Sequence, residues 1–171
     1  YEGSEKQCKS GITFVKNISA RQVKQTSDCG YIVVSYGEGI KKLDEFGETE
    51  WETKITLYQR KHSNLGKPSV TKTRDGGYLY SGTKGIAKLS YSGAIEWKNT
   101  KYRHFTDAIE HSNGFFYLVS EALEHKTAQG KVYKFNSKGK KIWIKGFGRG
   151  CYREEFNSII ESSDGELIIV G

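Results

Sequence analysis

No stretch of this sequence reaches 18 apolar residues, so no helical membrane span is expected. Cysteine is scarce: Cys8, Cys29 and Cys151 form an odd set without C-x-x-C spacing, which gives no zinc or thiol-redox motif. The four histidines, His62, His104, His111 and His125, include no pair at the ligand spacing of a helix or hairpin, so no metal site is expected. No G-x-S-x-G elbow occurs among the serines. Gly37-Glu38-Gly39 and Gly146-Phe147-Gly148 read as turn glycines, because no helix follows either to make a phosphate loop. The reading therefore assigns no catalytic residue, no cofactor and no enzymatic activity. The sequence starts at Tyr1, without methionine or the apolar core of a signal peptide, which points to a processed or excised piece.

With one proline, the chain is punctuated mainly by its 20 glycines. Apolar residues make up 36% and aromatic residues 13%, a balance that suits many short strands joined by tight turns. The net charge of +7 favours anionic partners, from a protein, a glycan or a charged surface. The lysines are scattered rather than blocked together, so the plainer reading is a solvated lysine-rich surface, and nucleic acid is not the expected partner. Asn17-Ile18-Ser19 fits the glycosylation sequon, a tripeptide common by chance.

Order emerges at longer range. Trp51, Trp97 and Trp143 lie 46 residues apart. Gly47, Gly93 and Gly139 precede them by four residues, Leu43, Leu89 and Phe135 by eight, and Ile40, Ile86 and Val132 by eleven. Anchors sharing such a period predict an all-β tandem repeat, a propeller or partial propeller built from four-stranded antiparallel blades. Each unit has a polar-apolar first strand, beginning near Val23, Val70, Ala108 and Ile159. A turn follows at Asp28-Cys29-Gly30, Asp75-Gly76-Gly77, Asn113-Gly114 or Asp164-Gly165. Asp-Gly and Asn-Gly are hairpin signals, since primed two-residue turns need positive φ; Cys29 departs from that preference. The second strands, such as Tyr31 to Val34 and Phe116 to Val119, are nearly continuously apolar and are expected to be buried on both faces. The third strand and a glycine turn lead to the tryptophan, read as a wedge between blades. No segment sustains a helical period, so no helix longer than two turns is expected.

The whole chain, 1–171, reads as one propeller domain or fragment. Its blades fall near 22–54, 69–99 and 107–146, with a split blade combining 158–171 and 8–17, where Phe14 takes the tryptophan position. Three closures stay open: the N-terminal strand completing the C-terminal half-blade, two chains combining, or a longer propeller.

Thr73-Arg74-Asp75-Gly76-Gly77-Tyr78, and Leu43-Asp44 followed by Gly47 and Trp51, resemble the tandem-repeat β-propellers of secreted and lipid-anchored bacterial proteins. The likeness runs from about residue 8 to 171. It also touches the tryptophan motif of the quinoprotein (PQQ-like) repeat superfamily, whose enzymes hold calcium and a quinone in a central funnel and whose other members are assembly scaffolds. This chain lacks adjacent cysteines and an acidic calcium cluster, the kelch match is weaker, and the WD signature of WD40 repeats is absent. The resemblance implies a secreted or cell-surface bacterial protein and is nearly silent on activity.

In such a fold the connections from strand four to strand one, and from two to three, share one face. Those connections carry Tyr58, Arg60 and His62, then Tyr102, Arg103, His104 and Phe105, then Arg149, Cys151, Tyr152 and Arg153. The candidate binding set is Tyr58, Arg60, Tyr102, Arg103, His104, Arg149, Tyr152 and Arg153, a cationic surface able to stack. The loop from Glu121 to Lys131 exceeds its equivalents in length. Cys8 and Cys29 fall in turns on the opposite face of adjacent blades, so a disulfide is expected between them, with Cys151 free. The leading function is a non-enzymatic recognition or scaffolding module. A lectin-like glycan or polyanion binder and a quinoprotein-type enzyme are the alternatives.

Overall fold

The computed structural model describes residue 8 and residues 15–35, 39–55, 67–121, 129–148 and 155–171. Among these there is no helix. Fourteen strands form three four-stranded antiparallel sheets and one hairpin. The first sheet holds β1 (Ala20–Gln25), β2 (Tyr31–Ser35), β3 (Gly39–Leu43) and β4 (Thr49–Thr53). The second holds β5 (Ser69–Lys72), β6 (Tyr78–Gly82), β7 (Gly85–Leu89) and β8 (Ile95–Asn99). The third holds β9 (Phe105–Glu110), β10 (Phe116–Ser120), β11 (Gly130–Phe135) and β12 (Lys141–Phe147). β13 (Ser158–Glu161) and β14 (Leu167–Val170) make the terminal hairpin. Each sheet runs in sequence order, every strand pairing with the one before it. Gly146 and Phe147 belong to β12, not to a turn, because the β11–β12 ladder continues to Gly130 opposite Phe147.

The first-to-second turns differ from the primed two-residue type expected from Asp-Gly and Asn-Gly. Only one residue in each takes positive φ: Cys29, Gly76, Gly114 or Gly165. Asp75 instead spends its carboxylate locally, accepting from Gly77 N at 3.0 Å and Thr73 Oγ1 at 2.6 Å. That bonding holds a four-residue turn closed from Gly76 N to Thr73 O at 2.9 Å, followed by a single left-handed residue. Cys29 fills the left-handed position at φ 70°, where the other three turns use glycine. It is joined to Cys8 by a disulfide.

The cores lie between sheets. Ile32, Val34 and Ile40 meet Val70, Tyr78, Tyr80 and Leu89. Leu79 and Ile86 meet Phe105, Phe116, Leu118 and Phe135. Tyr117, Val119 and Val132 meet Ile159, Leu167 and Ile169. Because alternate residues of a strand point to opposite faces, the continuous apolar runs of β6 and β10 feed two such cores at once. β14 has the same kind of sequence, but Ile168 and Val170 remain 48% and 57% exposed. The corresponding Tyr117 and Val119 of β10 are 6% and 0% exposed.

Each tryptophan sits partly buried at one of these junctions. Trp51 lies against the β7–β8 turn of the next sheet, so close that a Cβ on Gly93 would come within 2.5 Å of its ring. Thr53 Oγ1 donates to Gly93 O at 2.6 Å beside it. Glycine is thus required at Gly93 both by φ of 83° and by the indole.

Two lysines stand apart from a solvated lysine-rich surface: Lys42 and Lys88 are 1% and 3% exposed. Lys42 Nζ lies 2.9 Å from Asp28 Oδ2 and 3.0 Å from Glu50 Oε2, and donates to Leu43 O at 3.1 Å. Lys88 repeats this with Asp75, Glu96 and Leu89 O. A register shift between the third and fourth strands supplies the second carboxylate. Lys42 pairs with Trp51 but Leu43 with Thr49, leaving Glu50 bulged, and Glu96 is bulged in the same way. In the third sheet the carboxylates are replaced by Asn113 and Ile142, and Lys134 Nζ lies 3.9 Å from the centre of the Phe115 ring instead.

Candidate functional site

The first strands of successive sheets lie side by side, β1 by β5, β5 by β9 and β9 by β13. Side chains at their starts tie them together. Gln22 Oε1 accepts from Val70 N at 2.7 Å. The Asp107 carboxylate accepts from Ser69 Oγ at 2.9 Å and Ala108 N at 2.9 Å on one oxygen. Its other oxygen accepts from Ser158 Oγ at 2.9 Å and Ile159 N at 3.1 Å. With four donors, Asp107 is a brace joining three sheets, and its charge is satisfied within the protein.

These strand starts surround a polar cavity of about 160 Å³ whose wall includes Arg21, Gln22, Lys67, Thr106, Asp107 and Ser158. All four first strands, or the residues just before them, contribute. Arg21 and Lys67 are exposed at its rim. Sequence reasoning did not select Arg21 or Lys67, although both are basic residues at or just before a first strand.

The β8–β9 connection reaches the same ends of the strands and carries three of the expected binding residues. Lys101 N donates to Asn99 Oδ1 at 3.0 Å, starting the bend. Tyr102 is half-buried and packs its ring edge-on against Tyr133 and Phe135, with centroids 5.9 and 5.7 Å away. Lys141 Nζ lies 5.3 Å from its ring centre. Tyr102 therefore serves the core between the second and third sheets rather than presenting an open stacking face. Arg103 is exposed. His104 adopts φ of 64° and donates its backbone N–H to Thr83 O at 2.9 Å, while its carbonyl accepts from Glu121 N at 3.4 Å. Thr83 and Glu121 belong to second-to-third connections, so these connections and the fourth-to-first one meet here. Glu121 also bridges Glu155, at the entry to the hairpin.

Tyr58, Arg60, Arg149, Tyr152 and Arg153 lie outside the described residues, as do Cys151, His62, His125 and Phe14. His111, expected at the end of a first strand, is 7% exposed. Its Nδ1 accepts from Asn113 N at 3.0 Å and its Nε2 lies 2.9 Å from Gly165 O, which assigns it a structural role. No group of three or more His, Cys, Asp or Glu with metal-binding geometry occurs among the described residues. No helix among them is long and apolar enough to cross a membrane.

No known family profile and no curated protein matches the sequence. Solved structures do share the fold. A protein of unknown function from Bacteroides caccae superposes with a TM-score of 0.59 at 18% identity, over 82% of this chain and 50% of its own. The extracellular domain of a protein assigned to the hybrid two-component systems of Bacteroides thetaiotaomicron superposes with a TM-score of 0.55 at 14% identity. The match covers 86% of this chain and 20% of that one. A second such extracellular domain from the same organism gives 0.52 at 12% identity, over 85% and 18%. The chain thus spans half or less of the length of the structures it matches.

Proposed function

We propose that the chain is a run of consecutive β-propeller blades that forms part of an extracellular bacterial recognition or scaffolding module and carries no catalytic step. One observation carries the reading: the starts of four first strands, one from each successive sheet, surround a single polar cavity, as blades do around a channel. The exposed Arg21, Lys67 and Arg103 give that face a cationic rim, suited to a partner with carboxylate, sulfate or phosphate groups. The extracellular domains that share the fold support the location.

In this reading the ring continues past β14. Ile160, Ile168 and Val170 are 54%, 48% and 57% exposed on one face, and the earlier sheets bury the positions of Ile168 and Val170 under their successor. A further sheet of the same repeat covers that face in the complete ring. On its own, the chain is expected to self-associate through this surface, and Ile168→Asp with Val170→Asp should make it monomeric without unfolding it. A wild-type chain that sediments as a monomer would overturn the continuation. The recognition face is tested separately. Arg103→Ala combined with Arg153→Ala should weaken retention on a heparin column while leaving the unfolding midpoint unchanged, and equal retention would overturn it.

A further inference from the structure

At two junctions, a carboxylate from one sheet caps the turn of the sheet before it. Glu110 Oε2 accepts from Arg74 N at 2.7 Å, and Glu161 Oε2 accepts from Ser112 N at 2.7 Å. Both acids end a first strand, and both capped amides open a first-to-second turn. The same place between the first and second sheets is occupied by Lys72, and the corresponding turn amide is that of Ser27. No carboxylate among the described residues bonds the Ser27 N–H, and the repeat is interrupted there.

The interruption is a cavity. Ser27, Lys72, Arg74, Tyr78 and Tyr91 line a space of about 220 Å³ between the two turns. Lys72 and Arg74 are exposed cations, and Tyr91 is 58% exposed at the rim. Asp28 also lines the space, but its charge is already committed to Lys42 at 2.9 Å and to Gly30 N at 3.2 Å, with Thr26 Oγ1 donating to the same carboxylate. The cavity therefore brings Lys72 and Arg74 beside the Ser27 turn, although the Arg74 guanidinium also donates to Ser112 O at 2.8 Å and lies near Glu161.

We propose that this cavity binds the carboxylate of a small organic acid, which takes the place filled by Glu110 and Glu161 at the next two junctions. The ligand oxygen accepts from Ser27 N as the glutamates do from Arg74 N and Ser112 N. Lys72 and Arg74 supply the charge that makes such hydrogen bonds about twice as strong as neutral ones. Tyr91 adds an apolar ring with a polar tip beside it, which favours a ring-bearing acid over a short one. Two groups nearby show that the charge around the cavity is mixed. Burial lowers the Lys24 ammonium; Asp107 opposes that shift and the like charge of Lys72 adds to it. Burial, with Asp28, Tyr91 and Glu50 adding to it, pushes the Tyr78 phenol up to about 12, keeping it neutral in the cavity wall.

The test uses the whole chain with acetate, glucuronate and neutral glucose at low salt, followed by the amide signals of Ser27 and its neighbours. Acetate and glucuronate should both shift the Ser27 amide, glucuronate at the lower concentration, and glucose should not. Lys72→Glu restores the internal cap, so it should abolish both responses and raise the unfolding midpoint. Lys72→Gln, which keeps the length and removes the charge, should weaken binding by about tenfold with the fold unchanged. No response to either acid, an equal response to glucose, or undiminished binding by Lys72→Glu would overturn the proposal. A response confined to acidic peptides would overturn it in favour of a protein partner.

Discussion

Trp97 and Gly139 belong to different sheets, yet a single methyl group on the glycine would come within 2.5 Å of the indole. The ring is held in place by its own Nε1, which donates to Ser137 O at 2.9 Å, and Asn99 Nδ2 donates to Gly139 O at 3.0 Å beside it. The glycine of one repeat is therefore fixed by the tryptophan of the repeat before it.

Gly139→Ala should for that reason cost more than its backbone alone explains. Gly114 provides the comparison, since it has φ of 80° against 71° at Gly139 but open space around it. Gly114→Ala is expected to cost about 1 kcal/mol from the left-handed backbone, and Gly139→Ala about 3 kcal/mol as the indole is displaced. Urea unfolding of both variants measures the difference, and equal losses would remove the tryptophan from the explanation.

Lys88→Met should destabilise the chain more than Lys134→Met. Lys88 is enclosed with two carboxylates, those of Asp75 and Glu96, whereas Lys134 faces aromatic rings that a thioether also contacts well. Asp75 and Glu96 keep part of their hydration, so a loss of about 1–2 kcal/mol is expected for Lys88→Met. For Lys134→Met, less than about 1 kcal/mol is expected. Thermal unfolding at neutral pH compares them.

Acid should find the same ion pair in the first sheet. Burial on its own would raise the Asp28 carboxyl, but hydrogen bonds from Thr26, Lys42 and Gly30 hold it at about 2 instead of 3.8. Its folded value lies below its unfolded one, so its contribution is complete above pH 3.8 and is lost as pH falls towards 2. The unfolding midpoint should fall across that window, and Asp28→Asn should flatten the fall. A mutant curve parallel to the wild type would show that other carboxylates govern the acid limb. Burial opposes the charge on Lys42, yet Asp28 and Glu50 raise its pKa. Its contribution is therefore complete at and below neutral pH and is lost only at strongly alkaline pH.

The disulfide holds Cys29 in a conformation that side chains disfavour. Reduction should lower stability by about 3 kcal/mol, from the entropy regained by the loop it closes. Cys29→Gly should then be the more stable of the two uncrosslinked variants, ahead of Cys29→Ala by about 1 kcal/mol, because glycine suits φ of 70°. Denaturation of both, beside reduced wild type, tests the order.

The strands were legible because short apolar segments and turn residues recur at one spacing, so even β5, only four residues long, could be placed from its partners in other repeats. The buried lysines were not legible. Lys42 and Lys88 look like any other lysines until the bulge at Glu50 and Glu96 turns a second acid towards each. The turn type was misjudged because Asp75 and Asn113 do not take the positive φ of a primed turn; they accept hydrogen bonds from the turn itself. On the candidate face, the aromatic character of Tyr102 suggested an open ring, and only the third dimension places Tyr133 and Phe135 across its edges. Arg21 and Lys67 escaped notice because they come together only when separate repeats converge.

Since every core lies between two sheets, no sheet owns one. Removing an internal repeat would abolish two junctions and create one, whose fit depends only on whether the surviving faces match. The heritable part is therefore the pair of complementary surfaces, and a gene that duplicates one repeat duplicates a ready-made joint with it. Length can change in whole repeats at little structural cost, while a change inside one repeat, such as lysine in place of glutamate at position 72, stays confined to a single joint and can give that joint chemistry its neighbours lack.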